Sequence, residues 1–213
     1  MPTYTKTKKL WSKWYQKRKN YTKATNQAKH IKMSKFLVET YGHRMAGCRD
    51  FCEFGVGSGR NIYHFHAAHP EWTYKGNDIN PDIHSEIKSM YPDLLSWASI
   101  EIADTLSYLK RDDLQTDIAF THGHLMHLPN KVINEVCNLI AKKTEKYILL
   151  YEAYLNGPGV ALSKRFKYRK YRFSRVYEER FPGFVLEEKH ISSHPTKKGI
   201  RQGTYFFKKA GLT

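Results

Sequence analysis

Phe51-Cys52-Glu53-Phe54-Gly55-Val56-Gly57-Ser58-Gly59-Arg60-Asn61 decides how the rest of the chain is read. A short apolar run carrying one acid passes into three glycines at alternate positions, and then into an amphipathic segment. That order predicts a strand, a nucleotide-cradling loop and a helix start. Glycine is needed where the backbone turns with positive φ or approaches a ligand too closely for a Cβ, and the helix N-terminus beyond it offers free N–H donors. The dinucleotide fingerprint G-x-G-x-x-G would place its third glycine at position 60, which is Arg60, and this departure counts against NAD.

Outward from this loop the pattern alternates strand and helix, the signature of a parallel sheet with right-handed crossovers. Helix 59–69 follows the loop, then strand 73–79. Asn80-Pro81-Asp82 reads as a capped helix start with proline at its first position. Strand three is expected over 99–104, strand four over 117–121, a crossover helix over 129–142 and strand five over 147–152. Asn156-Gly157-Pro158-Gly159 interrupts the pattern and opens a basic insertion, residues 155–172. A helix over 172–181 and two β-like runs, 183–190 and 203–208, complete the order. Upstream, Leu10, Trp11, Trp14, Tyr15, Arg18 and Tyr21 recur near helical spacing, and a second helical segment over 24–41 stops at Gly42. The expected division is a basic helical extension, 1–42, followed by one α/β domain, 43–213. A chain of 213 residues suits one such domain.

The formal charge of +16 is concentrated at two places. Residues 1–35 carry eleven Lys or Arg and no acid, and residues 164–175 carry seven basics in twelve positions. Such patches favour anionic partners: nucleic acid, phosphorylated or carboxylated small molecules, or an anionic membrane surface. The competing reading is a solvated face that keeps the protein soluble and monomeric. No apolar run is long enough to cross a bilayer or act as a signal sequence, so a cytoplasmic protein is expected. Cys48, Cys52 and Cys137 include no C-x-x-C pair, which suggests neither a disulfide framework nor a zinc ribbon.

Asp78 ends strand two, where an α/β nucleotide fold presents an acid to ribose hydroxyls, and Ile79 would lie against the adenine. Asp104 with Thr105 ends strand three, where the same fold reads the exocyclic amine; a simple helix N-cap is the alternative for Asp104. Thr121-His122-Gly123-His124-Leu125-Met126-His127 lies at the carboxyl end of strand four, beside the switch point where α/β ligands bind. Its three histidines lack nearby acids to orient them, so no metal site is expected. One of His122, His124 and His127 acting as a general base fits a side chain that titrates near neutrality. His64, His66 and His69 read as surface and packing.

Glu53-x-Gly55-x-Gly57-x-Gly59 through Asn61, Asn77-Asp78-Ile79-Asn80-Pro81, Phe120 to Leu128 and Tyr147 to Tyr154 together resemble the class I S-adenosylmethionine (SAM)-dependent methyltransferases. Within them they resemble the methylases associated with pseudaminic acid biosynthesis. The resemblance covers about residues 48–208. It implies a Rossmann-like, mostly parallel seven-stranded sheet with helices on both faces, and SAM as cofactor. Glu53, Gly55, Gly57, Gly59, Asn61, Asp78, Ile79, Asp104, Thr105, Thr121 and Gly123 would hold the cofactor. Glu152, Tyr154, Asn156, Arg165, Arg169 and Arg172 would face the acceptor, a small anionic or sugar molecule. An RNA methyltransferase is the first alternative, because Phe166, Tyr168, Tyr171 and Phe173 interleave with the basics. A non-catalytic nucleotide- or nucleic-acid-binding protein of this fold is the second.

Overall fold

The computed structural model describes residues 24–154, 177–192 and 201–212. Helix α1 (Ala24–Tyr41) and a 3-10 turn (Gly42–Met45) lead into β1 (Asp50–Phe54), α2 (Arg60–Ala68), β2 (Thr73–Asp78), α3 (Ile83–Met90) and α4 (Leu94–Trp97). There follow β3 (Ala98–Ile102), α5 (Thr105–Leu109), β4 (Thr116–His122), α6 (Asn130–Lys143), β5 (Thr144–Tyr154), β6 (Phe184–Ile191) and β7 (Arg201–Lys209). The seven strands form one sheet in the order β3-β2-β1-β4-β5-β7-β6. Six run in one direction, and β7 is antiparallel to both of its neighbours, β5 and β6. The strand order reverses between β1 and β4, the place at whose carboxyl ends open α/β sheets bind ligands.

Side-chain alternation along β1 feeds two cores. Phe51 packs with Ile62 and Phe65 of α2 and with Leu37 and Tyr41 of α1; Cys52 and Phe54 pack with Val136 and Ile140 of α6. Central strands covered on both faces read as continuous apolar runs, which is why the middle of β4, Ile118-Ala119-Phe120, and of β5, Ile148-Leu149-Leu150, is apolar. Because Leu37 and Tyr41 are buried in the sheet's own core, α1 is packed as part of the same unit as residues 43 onward. A polar knot adds to this. The Tyr41 hydroxyl donates to Glu188 Oε1 at 2.9 Å, Arg44 bonds Glu187 and Glu188, and its guanidinium lies 4.3 Å from the Phe206 ring centroid.

Several boundaries differ from expectation for local reasons. Asn80 does not cap α3: its Oδ1 accepts from the Asp82 N–H at 3.1 Å, a side-chain turn that delays the helix to Ile83. Strand three ends at Ile102, because Asp104 turns to cap α5. Residues 177–181 form turns rather than the end of a helix, with Tyr177 and Phe181 buried against the α6 face. The four- and five-residue helices α4 and α5 are additions too short to carry a helical period. The expected helix over 10–21, residues 172–176, and Asn156, Arg165, Arg169 and Arg172 with the rest of the basic insertion lie outside the described residues, as does the side chain of Tyr154.

Candidate functional site

Three glycines at the end of β1 adopt left-handed backbone: φ is 78° at Gly55, 57° at Gly57 and 81° at Gly59. The Gly55 and Val56 N–H groups both donate to Asn77 O, at 2.9 and 3.0 Å, so the loop is tied down to the end of β2. A Cβ on Gly55 would lie 2.6 Å from His124 Cγ, whereas one on Gly57 would project into open space. The loop therefore has a packed side and an open side. Gly123, φ 64°, likewise faces open space.

Asp78 is buried beneath the loop. Its Oδ2 accepts from the Gly57 N–H and its Oδ1 from the Asn80 N–H, both at 2.9 Å. Burial pushes its carboxyl up, against the pull of these backbone donors. The Ile79 backbone also bonds this carboxylate, which still has lone-pair capacity for a diol contact. Ile79 is half-buried, and Ile102, the register partner of Asp78 on β3, is 50% exposed. Together they form an apolar rim. Sequence reasoning missed Ile102, although an apolar residue ending strand three beside an acid ending strand two is the available signal. Asp104 caps α5, Oδ1 accepting from Ser107 N and Oδ2 from its hydroxyl.

Glu53 is fully buried. Asn61 Nδ2 donates to its Oε1 at 2.6 Å, and its Oε2 has no hydrogen-bond partner among the described residues. Burial pushes its carboxyl up to about 8, although the Asn61 bond and the Arg60 charge pull the other way. A buried orphan acceptor is costly, on the order of 1–3 kcal/mol, unless a ligand donor meets it.

The three histidines do not converge. His122 ends β4 on the α1 and α2 face, its Nδ1 3.3 Å from Asn61 Oδ1 and its ring edge-on to Tyr151 and His30. Burial, with Arg60 and His30 nearby, keeps its imidazole well below the usual range. His124 points the other way, with Nε2 2.7 Å from Thr105 Oγ1, and burial takes it down to about 4. Asn77 Nδ2 donates to that same Thr105 hydroxyl. His127 closes the short 3-10 turn Leu125–His127, its backbone N–H bonded to His124 O. His66 and His69 stack on Trp97 and Trp72, the packing roles expected of them.

Glu152 has a different task from the one expected. It is fully buried, and four donors of the β4 loop converge on it: Thr121 Oγ1, His124 N and Leu125 N on Oε1 at 2.9 Å each, and Met126 N on Oε2 at 3.2 Å. Both Glu152 and the Thr121 hydroxyl thus shape the loop from within. Among the described residues no group of three or more His, Cys, Asp or Glu side chains is arranged to hold a metal ion, and no helix is long and apolar enough to cross a membrane.

No family model and no curated protein matches the chain. Solved structures do. A magnesium protoporphyrin IX methyltransferase from Synechocystis with bound SAM superposes with a TM-score of 0.63 at 13% identity, covering 96% of this chain and 97% of that one. Its complex with S-adenosylhomocysteine (SAH) gives 0.65 over 96% and 100% at the same identity. An O-methyltransferase domain of a Brevibacillus brevis polyketide multienzyme, also with SAH, gives 0.58 at 13% identity over 86% and 73%. At these identities the likeness shows the fold: this chain has the Rossmann-like fold of those methyltransferases.

Proposed function

We propose that the protein is a SAM-dependent methyltransferase. The observation that carries the reading is the buried acid–glycine–acid frame. Glu53 presents an orphaned oxygen, Gly57 opens onto space, and Asp78 closes the loop from below. This frame fits the cofactor chemically. Glu53 Oε2 suits the methionine ammonium, Asp78 the ribose diol, and the rim of Ile79 and Ile102 the flat adenine. SAM, when bound, supplies a sulfonium methyl whose departure needs no acid. The chain's own work is therefore to hold nucleophile and methyl in line and to exclude water. Solved relatives in fold carry SAM or SAH, which supports the assignment.

For the acceptor we propose a small anionic or carbohydrate molecule, such as a nucleotide-sugar or a surface-glycan precursor of the kind handled by the pseudaminic acid-associated methylases. Residues 164–175 supply counter-charge for it. The eleven basics of residues 1–35 favour RNA as the second reading. Titration calorimetry with SAM, SAH and NAD tests the cofactor, with binding expected for the first two only; NAD binding with no response to SAM overturns it. RNA binding at two salt concentrations separates the acceptors. A log–log slope near −0.7 per single-strand phosphate contact marks RNA, and a flat response marks the small molecule.

A further inference from the structure

Asn61 sits between an acid and a histidine, and its two ends are not interchangeable. It is 1% exposed, with Nδ2 on Glu53 Oε1 at 2.6 Å. Its Oδ1 receives the Ser34 hydroxyl at 2.6 Å and faces His122 Nδ1 at 3.3 Å. Once Glu53 ionises, above about pH 8, it only accepts, so Asn61 then turns its amino group towards it and its carbonyl towards the histidine. A carbonyl also only accepts. The proton of a neutral His122 is then on Nδ1, and the lone pair on Nε2, which makes no hydrogen bond among the described residues.

His124 offers the contrasting case: its Nε2 is already hydrogen-bonded to the Thr105 hydroxyl, and its ring is wedged against Gly55. His122 differs in surroundings as well. It is half-buried at the open carboxyl end of β4, between His30 of α1, Arg60 and Asn61 of α2, and Tyr151 of β5. We propose that His122, held by Asn61 with its proton on Nδ1, is the base that receives the acceptor's proton on Nε2, and that Ser34, Asn61 and Glu53 are its positioning residues. This rests on the methyltransferase reading. As the acceptor's lone pair forms its bond to the methyl carbon, the carbon–sulfur bond breaks with its electron pair going to sulfur. The acceptor's proton passes to Nε2, and the resulting imidazolium returns it to solvent. Burial first, and then the neighbouring Arg60, keep the ring unprotonated before reaction.

The decisive test needs no acceptor. Long-range ¹⁵N–¹H correlation of the imidazoles in the SAH complex, at pH 9 where Glu53 is ionised, should show His122 protonated on Nδ1; protonation on Nε2 overturns the proposal. His122→Gln should then lower turnover of a nucleotide-sugar panel about 10²–10⁴-fold, the range of a lost general base. Its SAH affinity should stay within twofold, and the acidic limb of the wild-type kcat/KM profile, with its midpoint below 6.5, should vanish. A variant within threefold of wild type, or one that keeps that limb, overturns it. Failure of the wild type to bind SAM or SAH by calorimetry would instead count against the methyltransferase reading, and is measured separately.

Discussion

Replacing Glu152 by Gln keeps the shape of the side chain and removes its charge, so it isolates what the carboxylate does for the β4 loop. Three donors meet Oε1 at 2.9 Å and one meets Oε2 at 3.2 Å. Gln can place its oxygen under the first three, but those bonds become neutral, and its amino group then confronts the Met126 N–H. Hydrogen bonds to a charged group contribute about 1.5–3 kcal/mol against about 0.5–1.5 for neutral ones, and an unmet buried donor costs a further 1–3, roughly. Relief of the buried charge offsets part of this. The expected net loss is about 1–3 kcal/mol for Glu152→Gln and about 3–5 for Glu152→Ala, which strands all four donors. For a chain of this size 1 kcal/mol moves Tm by roughly 2–4 °C. Urea unfolding and thermal melting should rank wild type above Gln above Ala, with looser SAH binding in both variants. A Gln variant as stable as wild type would refute the reasoning, because the loop would then be held by something other than the charge.

Asp78→Ala should weaken SAM binding by roughly 1.5–3 kcal/mol in calorimetry, since a carboxylate contact is lost along with the tie to Gly57; unchanged affinity would remove the ribose role. Gly55→Ala, at φ 78° with His124 in the way, should cost at least ~1–3 kcal/mol and abolish SAM binding, whereas Gly211→Ala, equally left-handed but in open space, should cost stability alone. Glu53 titrates at about 8 when folded and near 4.5 when unfolded, so its contribution is complete below the lower value and is lost as pH rises towards 8. Between pH 6.5 and 8, above the range of His124, wild type should lose about 1.4 kcal/mol per pH unit at the acid end, falling to about 0.7 at pH 8, relative to Glu53→Gln, as read from urea midpoints.

The β1 loop was readable because its constraint is local. Gly55, Gly57 and Gly59 each need positive φ, and no other residue type satisfies that at three alternate positions. The succession of strands and helices along residues 50–150 was legible for a similar reason, whereas the order of the strands in the sheet was not read from the sequence. Glu152 was misread because its partners lie 26 to 31 residues away, and a sequence shows an acid after a strand without showing four buried donors converging on it. Asn80 was taken for a cap because asparagine before proline satisfies both readings, and only the Asp82 N–H decides between them. Asn61 was assigned to the cofactor from the resemblance; its links to Ser34 and His122, 27 and 61 residues distant, arise from how α1 and β4 dock around α2.

The placement of β7 has a consequence for biosynthesis. This strand follows β6 in the chain yet lies between β5 and β6 in the sheet, and Tyr205, Phe206 and Phe207 are completely buried. A nascent chain that has left the ribosome only as far as Ile191 can assemble β1 to β5, but β6 has no partner to pair with, and β5 presents a bare edge beside an uncovered apolar face. Translation through residue 209 closes that edge and admits β6 in the same event. A stall within residues 192–200 should therefore yield the species most prone to aggregate or to recruit chaperones, and release past Lys209 should end that exposure in one cooperative step.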